Sequence, residues 1–600
     1  MLDRYAGHLS RGLIIVFGVL LCFLCGVVLA AQILGFFNSY QRLPVFLLTL
    51  AITMVALVFY FRWYGLGFVT TLTHKSTADK KLAGLNWAAY ACGLAIFVLL
   101  ILYPLIRWPF STVSDSLHWD AGAYHFPKAI ELYKSGTFWD LSIPYGEYPN
   151  GFESLLSLGL LIRGNELLFG SAHALVAGFM FLTLWGLAWR YTRLPGGLIA
   201  LLTSLIFISG LIQVANNPWW IFADHVFMIG KNDMLVSAAV LAAVFHLPIG
   251  GRDTRTSWHL PGLVFSTAIV LAVKPVGIYA LMPLWLLVAY RWGSPFFQRP
   301  VGKLPWKELV FAGLFILPSL LWVLRNVLML GMVFPPGNWE MAEWSIANNL
   351  TNPFFYNFLP RLFLFVLGAV FFILVLSVWR KSPDIGQALV LLILLVAFAL
   401  TPQTAFFGST DNPTKIAWRF GISLLGYLFV MFLVVLEPLF NRAWTLLLSR
   451  RWLVFGAAVL VVSVGAGLVW YKSGMMRIHP NNDIVLRDQF RESVGVDGYF
   501  SAYDYVRRNI RGADVHIEGG LMYYVYGQDF TNRPTKMQYP LGMEWAVPQR
   551  DPQYFVILCT DFWNNRPEEC PAYLEQPEFL EKWQPIYIDD YGRVYQRTAQ

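Results

Sequence analysis

The feature that most constrains this chain is its succession of apolar runs. Mostly apolar stretches at 13–37, 43–61, 87–106, 167–189, 197–214, 234–249, 260–273, 276–290, 309–330, 362–379, 388–400, 420–440 and 453–470 are separated by polar segments. About 20 apolar residues cross a bilayer, and fewer suffice where neighbouring helices shield the ends. In hydrocarbon every backbone N–H and C=O must be satisfied within the protein, so segments of this length span as helices. The expectation is an α-helical polytopic membrane protein with about thirteen transmembrane helices. The first run is too long for a signal-peptide core and no small-residue cleavage site follows, so it is expected to be retained as a span. Only 13% of the 600 residues are charged, about half the share usual in soluble domains.

Charge then orients the spans. With the N-terminus in the cytoplasm, one set of alternate loops holds Arg4, Arg11, Arg62, Lys75, Lys80, Lys81, Arg190, Arg193, Arg252, Arg255, Arg291, Arg299, Lys303, Lys307, Arg380, Lys381, Arg442, Arg450 and Arg451. The opposite set is poor in Lys and Arg, and the loop 331–360 has neither. The positive-inside rule assigns the basic set to the cytoplasm. Reading 260–290 as one span would put the later basic loops on the wrong side, so Lys274-Pro275 is expected to separate two helices. The net charge of +8 is spread over these short loops and makes no basic face. A nucleic-acid partner is therefore not expected.

Two polar regions then lie outside. Residues 108–166 form the first large outer loop, and its part 108–153 holds six acids and only two Lys among many aromatics. Within it, 120–133 reads as a helix in which Pro127 forces a kink or a late start, and 152–162 as an interfacial helix. From 472 to 600 the composition turns polar. Helix 499–510, strands 515–518, 555–558, 586–589 and 594–597, and a hairpin at 590–593 predict a small α/β domain. The domains expected are 1–471 in the membrane and 472–600 outside it. Cys559 and Cys570 fall in that outer domain, where a disulfide forms readily; two free thiols are the other reading. Cys22 and Cys25 spell C-x-x-C inside a span and are read as apolar packing.

The unusual polar residues gather at the outer ends of spans. Asp115, Asp120 and His125 follow the third; Lys231 and Asp233 precede the sixth; Lys274 separates two; Arg325 closes the ninth and Arg419 opens the twelfth. Ionisable groups at membrane depth are costly and default to a functional hypothesis. Carboxylates that accept a proton and cations that stabilise a departing phosphate suit group transfer. Each residue has a plainer reading as well. Asp120 caps a helix, Asp115 sits in a turn, Lys274 snorkels, Arg325 and Arg419 pair with loop acids, and Lys231 is an interface charge. His125 reads as a hydrogen-bonded side chain rather than a metal ligand, since no second ligand stands at suitable spacing.

The order of these features resembles the GT-C superfamily of membrane glycosyltransferases, which includes protein O-mannosyltransferases and aminoarabinose transferases. W-D-A-G-A-Y-H-F-P (119–127) resembles the D-x-x-x-Y-H-x-P spelling of several bacterial members. L-A-V-K-P-V-G (271–277) resembles their apolar-Lys-x-x-Gly stretch, and W-V-L-R-N (322–326) with G-M-V-F-P-P (331–336) their W-x-x-R-N…G-x-P-x-x-P region, with Val333 in place of the first Pro. Many relatives show an Asp-Glu pair where this chain has Asp120-Ala121, so Asp120 and Asp115 both stay candidates for the base.

The resemblance implies an inverting transfer of a sugar from a polyprenyl-phosphate donor to a glycan, lipid or protein acceptor, on the outer face of the plasma (inner) membrane, in cell-envelope glycan synthesis. It implies Asp120 and then Asp115 as catalytic acids, and Tyr124, His125, Glu147, Asp233, Lys274, Arg325 and Arg419 as the substrate-binding set. No cofactor is firmly implied, although a divalent cation such as Mg or Mn is compatible. A lipid-linked glycan flippase fits the spans too, but transporter sites usually lie at the midplane within repeated halves. An O-antigen polymerase or ligase typically carries its large outer loop late, and here it comes early.

Overall fold

Helix α1 (Leu2–Phe36) is the hub of the bundle in the computed structural model. The structure describes residues 2–73, 80–107, 120–141, 145–209, 225–226, 228–247, 259–296, 306–333, 368–376, 385–400, 418–449, 501–518, 522–527, 529–536, 551–561, 566–567 and 569–598. After α1 come α2 (Arg42–Thr73), α3 (Lys80–Phe97), α4 (Tyr103–Arg107), α5 (Phe126–Ser135), α6 (Gly151–Arg163), α7 (Phe169–Tyr191) and α8 (Gly196–Ser209). They are followed by α9 (Asp233–His246), α10 (Leu260–Val273), α11 (Ile278–Phe296), α12 (Trp306–Ser319), α13 (Leu321–Leu330), α14 (Ile385–Leu400) and α15 (Ile422–Ser449). Leu21, Cys22, Leu24, Cys25, Val27 and Val28 of α1 are fully enclosed, with α2, α3, α6, α7, α10, α12 and α13 around it. The two cysteines are free thiols within that packing.

Among the described residues, five helices are long and apolar enough to cross a membrane: His8–Phe36, Arg42–Arg62, Asn86–Ile106, Glu166–Tyr191 and Ile422–Trp444. The expected single span at 309–330 is instead a pair, α12 and α13, bent by 50°. Pro318 sits inside α12, and a proline cannot donate the helical hydrogen bond and crowds the preceding turn. Shorter apolar helices complete the bundle, among them α9 and α10. Each has 14 residues, about 21 Å of helix, too short to cross about 30 Å of hydrocarbon unaided. Every residue of α9 is buried, as expected of a helix that is apolar all round. Neighbouring protein thus supplies what length does not. The expected span 453–470 lies outside the described residues, as does half of 362–379, so the described residues set no total.

Lys274 breaks the backbone between α10 and α11, as the charge pattern requires: its φ of −155° and ψ of 110° are extended, and a short 3-10 turn (Pro275–Gly277) follows. The helices expected within 108–166 also form, α5 close to 120–133 and α6 close to 152–162.

The C-terminal unit contains α16 (Ser501–Asn509), β1 (Asp514–Glu518), β2 (Arg533–Lys536), β3 (Tyr554–Leu558), β4 (Thr560–Asp561), β5 (Arg566–Pro567), α17 (Pro577–Leu580), β6 (Trp583–Ile588) and β7 (Gly592–Arg597). Its main sheet runs β2-β1-β3-β7-β6. β1 is parallel to β2 and β3, whereas β7 is antiparallel to β3 and β6. A disulfide joins Cys559 to Cys570.

Candidate functional site

The acidic turn begins with a local departure from the α-helix. Residues Ala121–His125 form a π-helical turn, in which the Phe126 N–H reaches the Ala121 carbonyl. Pro127 has no N–H to offer the preceding turn, and one extra residue per turn is a local solution often found at functional sites. Asp120 starts this turn in helical conformation and makes no side-chain cap. Its Oδ2 instead accepts a hydrogen bond from Arg419 at 2.6 Å and lies 3.7 Å from Lys231 Nζ. Lys231, expected as an interface charge, is 5% exposed and faces inward. The chain reaches that position through Gly230, whose φ of +99° few other residues adopt; a Cβ there would meet Ala121 and the Phe126 ring at 2.5 and 2.8 Å.

A second pair stands beside the first. Asp233, opening α9, accepts a 2.6 Å hydrogen bond from Lys274 Nζ, and Asp233 is only 4% exposed. Lys274 therefore turns inward rather than snorkelling. Gly151, opening α6, keeps the outer loop tight against this turn, because a Cβ would stand 2.4 Å from the Ala272 carbonyl oxygen. Asp233, Lys274 and Arg419 line one cleft, with Ser237, Tyr279 and Ser423 among its polar walls and Val240, Leu394 and Phe398 among its apolar ones. Among the described residues, three cations thus face two carboxylates in and beside this cleft, an excess of one positive charge.

A separate network organises the loop behind the acidic turn. His125 Nδ1 lies 2.6 Å from Glu153 Oε1, and the Tyr124 ring packs on His125 and Tyr145. Lys128 donates to the carbonyls of Tyr145, Tyr148 and Pro149. Burial pulls its ammonium below the ordinary range, against the opposing pull of Glu153. Arg325 gives its N–H groups to the carbonyls of Phe138, Gly146 and Glu147 and to Asn326 Oδ1. Asn326 in turn holds the carbonyls of Glu147 and Val333.

The structure therefore divides the expected substrate-binding set. Asp120, Asp233, Lys274 and Arg419 come together, and Tyr124 stands on the acidic turn beside them. Arg325, His125 and the buried Glu147 belong to the loop scaffold, with Arg325 fastening the segment that contains Glu147. Asp115, His118 and Trp119 lie outside the described residues. Glu153 and Lys128 were counted among the charges of 108–153 but given no role, and Lys231 was noted beside Asp233 but read as an interface charge; their places in that polar loop and at the start of an apolar run were the available signal. Among the described residues no three His, Cys, Asp or Glu side chains converge as metal ligands. Both described carboxylates of the cavity region are held by cations, a donor set that does not suit a divalent ion.

No family model matches the chain, and no curated protein matches it in sequence. Its shape is similar to that of solved structures. One is ArnT from Cupriavidus metallidurans in the apo state, with a TM-score of 0.51 and 16% identity over 85% of this chain and 98% of that one. Another is the same protein bound to undecaprenyl phosphate, with a TM-score of 0.50 and 15% identity over 84% and 98%. At such identity the similarity establishes the fold alone: a bundle of many apolar helices shared with those structures, with a small sheet-containing unit at its C-terminus.

Proposed function

We propose that this protein is a membrane glycosyltransferase that moves a sugar from a polyprenyl-phosphate donor to an acceptor hydroxyl or amine. The observation that carries the reading is the excess of one positive charge around the cavity. A sugar phosphodiester bears one negative charge and has to keep its prenyl tail in an apolar environment. The solved structure of similar shape with bound undecaprenyl phosphate supports a ligand of this chemistry. In the proposed step the acceptor atom attacks the anomeric carbon while the bond from that carbon to the phosphate oxygen breaks. The electron pair leaves with the phosphate, the acceptor's proton passes to a carboxylate, and in-line displacement inverts the anomeric carbon. Asp120 is the carboxylate assigned to this role, with Asp115 as the second candidate. Lys274 and Arg419 take the phosphate, whose bridging oxygen gains charge as the bond breaks, so they act most strongly in the transition state.

The pairing of Asp120 with Arg419 adds a condition. A carboxylate held by a guanidinium is a weak base, and an incoming phosphate competes for that guanidinium. Donor binding would thus free Asp120 to accept the proton. The reaction is assigned to the outer face of the inner membrane, in cell-envelope glycan synthesis, with a glycan, lipid or protein as acceptor. The test is binding of a short-chain polyprenyl phosphate to the purified protein in nanodiscs. Tight binding that the double variant Asp233→Asn/Lys274→Gln weakens about tenfold or more is expected for loss of one charge-assisted contact. Equal binding by both proteins would remove the phosphate site, and movement of lipid across the bilayer without transfer would favour the flippase reading.

A further inference from the structure

The C-terminal unit is seated on the acidic turn by contacts that the cavity chemistry does not use. Glu166, in the 3-10 turn (Glu166–Leu168) before α7, is fully buried. Its Oε1 accepts hydrogen bonds from Arg507 of α16 at 3.2 Å and from the Tyr523 hydroxyl at 3.0 Å. Arg507 and Tyr523 are themselves 2% and 1% exposed, and the guanidinium lies 5.3 Å from the Tyr523 ring centroid. The other edge of that ring meets Phe126 at 5.3 Å, T-shaped. Phe126 closes the π-turn that Asp120 begins. A second seat lies about two turns further along α5, where Lys134 donates to the Asn532 carbonyl at 2.7 Å. The Asn532 side chain is tied to the carbonyls of Ile510 and Val525, so the docking segment is braced from within.

We propose that Tyr523, held by the Glu166–Arg507 pair, is a positioning residue for the acidic turn: it supports Phe126, and through Phe126 the placement of Asp120. The C-terminal unit is then part of the catalytic apparatus rather than an appended module. Its aromatic turn (Met522–Tyr526), buried at every residue, is the part that enters the membrane-facing bundle. A π-turn gives up part of the regular helical ladder, so neighbouring packing decides where its first residue sits. Catalytic geometry tolerates little drift, since a displacement of about 1 Å costs on the order of 100-fold.

This inference rests on the transferase reading, and its test separates the two. Full-length Tyr523→Phe keeps the ring on Phe126 and loses the bond to Glu166, whereas Tyr523→Leu loses the ring. Both are compared with wild type for turnover, donor KM, polyprenyl phosphate binding, and hydrogen exchange over residues 120–135. Expected for Tyr523→Leu are faster exchange over 120–126, kcat lower by about tenfold or more, and donor KM and lipid binding within about twofold. Tyr523→Phe should stay near wild type in kcat. A purely structural role predicts lower melting temperature or yield with unchanged kcat per folded molecule, and that outcome overturns the proposal. Should Tyr523→Leu not fold, Phe126→Leu tests the same contact from the other side with the same readouts. If wild type transfers no sugar, the transferase reading fails. Faster exchange over 120–126 would then still support the positioning contact, and unchanged exchange would refute it.

Discussion

At the scale of single residues, the two ion pairs decide what substitutions report. Asp120→Asn keeps the size of the side chain and removes the proton acceptor. Turnover should fall by about 100-fold or more, in the usual range for a general base, with donor binding retained; full turnover would end the assignment. Lys274→Gln alone is ambiguous, because it strands a buried carboxylate at a cost of about 3–5 kcal/mol. The double variant Asp233→Asn/Lys274→Gln removes both charges. It should recover the melting temperature of the bundle and still bind donor weakly, whereas a purely structural pair predicts recovery of both. Arg419→Lys keeps the charge and loses the planar fork that can bind two phosphate oxygens at once, so kcat should fall although the net charge is unchanged. Far from the cavity, His516 on β1 stacks on Phe555, and burial pushes its imidazole down to about 4. The fold therefore favours neutral His516. This contribution to stability is complete above the ordinary imidazole pKa of about 6.5 and is lost as pH falls towards 4. Protection of β1 amides, corrected for intrinsic rates, should drop over that window and do so less in His516→Phe.

At the scale of elements, close approach carries more of the design than amphipathic patterning. Gly151→Ala sets a methyl against the Ala272 carbonyl, and overpacking of this kind costs about 1–3 kcal/mol. Because Lys274 lies two residues beyond, donor binding should weaken together with melting temperature; loss of stability with unchanged binding would uncouple the two helices. In the C-terminal unit, Cys559→Ser/Cys570→Ser opens a loop of sequence separation 11, which should cost about 2–3 kcal/mol in the chain-entropy account, read as a lower denaturation midpoint for that unit. Elements with a local signature were legible beforehand. The break at Lys274-Pro275, helix α6, helix α16 and strands β1, β3, β6 and β7 all follow from periodicity, proline and turn residues. Strand β2 was not anticipated, because Arg533–Lys536 is short and polar and contains Pro534, which suits only an edge. The bend between α12 and α13 escaped because apolar composition continues straight across Pro318. Partnerships such as Asp120 with Arg419, or Arg325 with the carbonyls of the outer loop, leave no periodic trace, since they join residues that only the fold brings together.

At the scale of the whole molecule, polar residues from many segments meet at one end of the bundle, and the C-terminal unit closes over the same end. The proposed orientation puts that end outside. Single engineered cysteines at Ser345 and Thr531 should react with a membrane-impermeant thiol reagent on intact cells. Protection of both until lysis would invert the topology and remove the outer-face reading.

The Glu166–Arg507 contact also has a consequence for how the protein is made. Its two partners are separated by 341 residues. At about 5–20 residues per second of synthesis, Glu166 waits roughly 17–70 s for its guanidinium. During that interval the nascent bundle holds a carboxylate whose final site is fully enclosed, so water or a membrane chaperone has to shelter it. Chains terminated before Arg507 never leave this state. They carry most of the apolar helices yet lack both the guanidinium and the Tyr523 hydroxyl whose hydrogen bonds this carboxylate accepts.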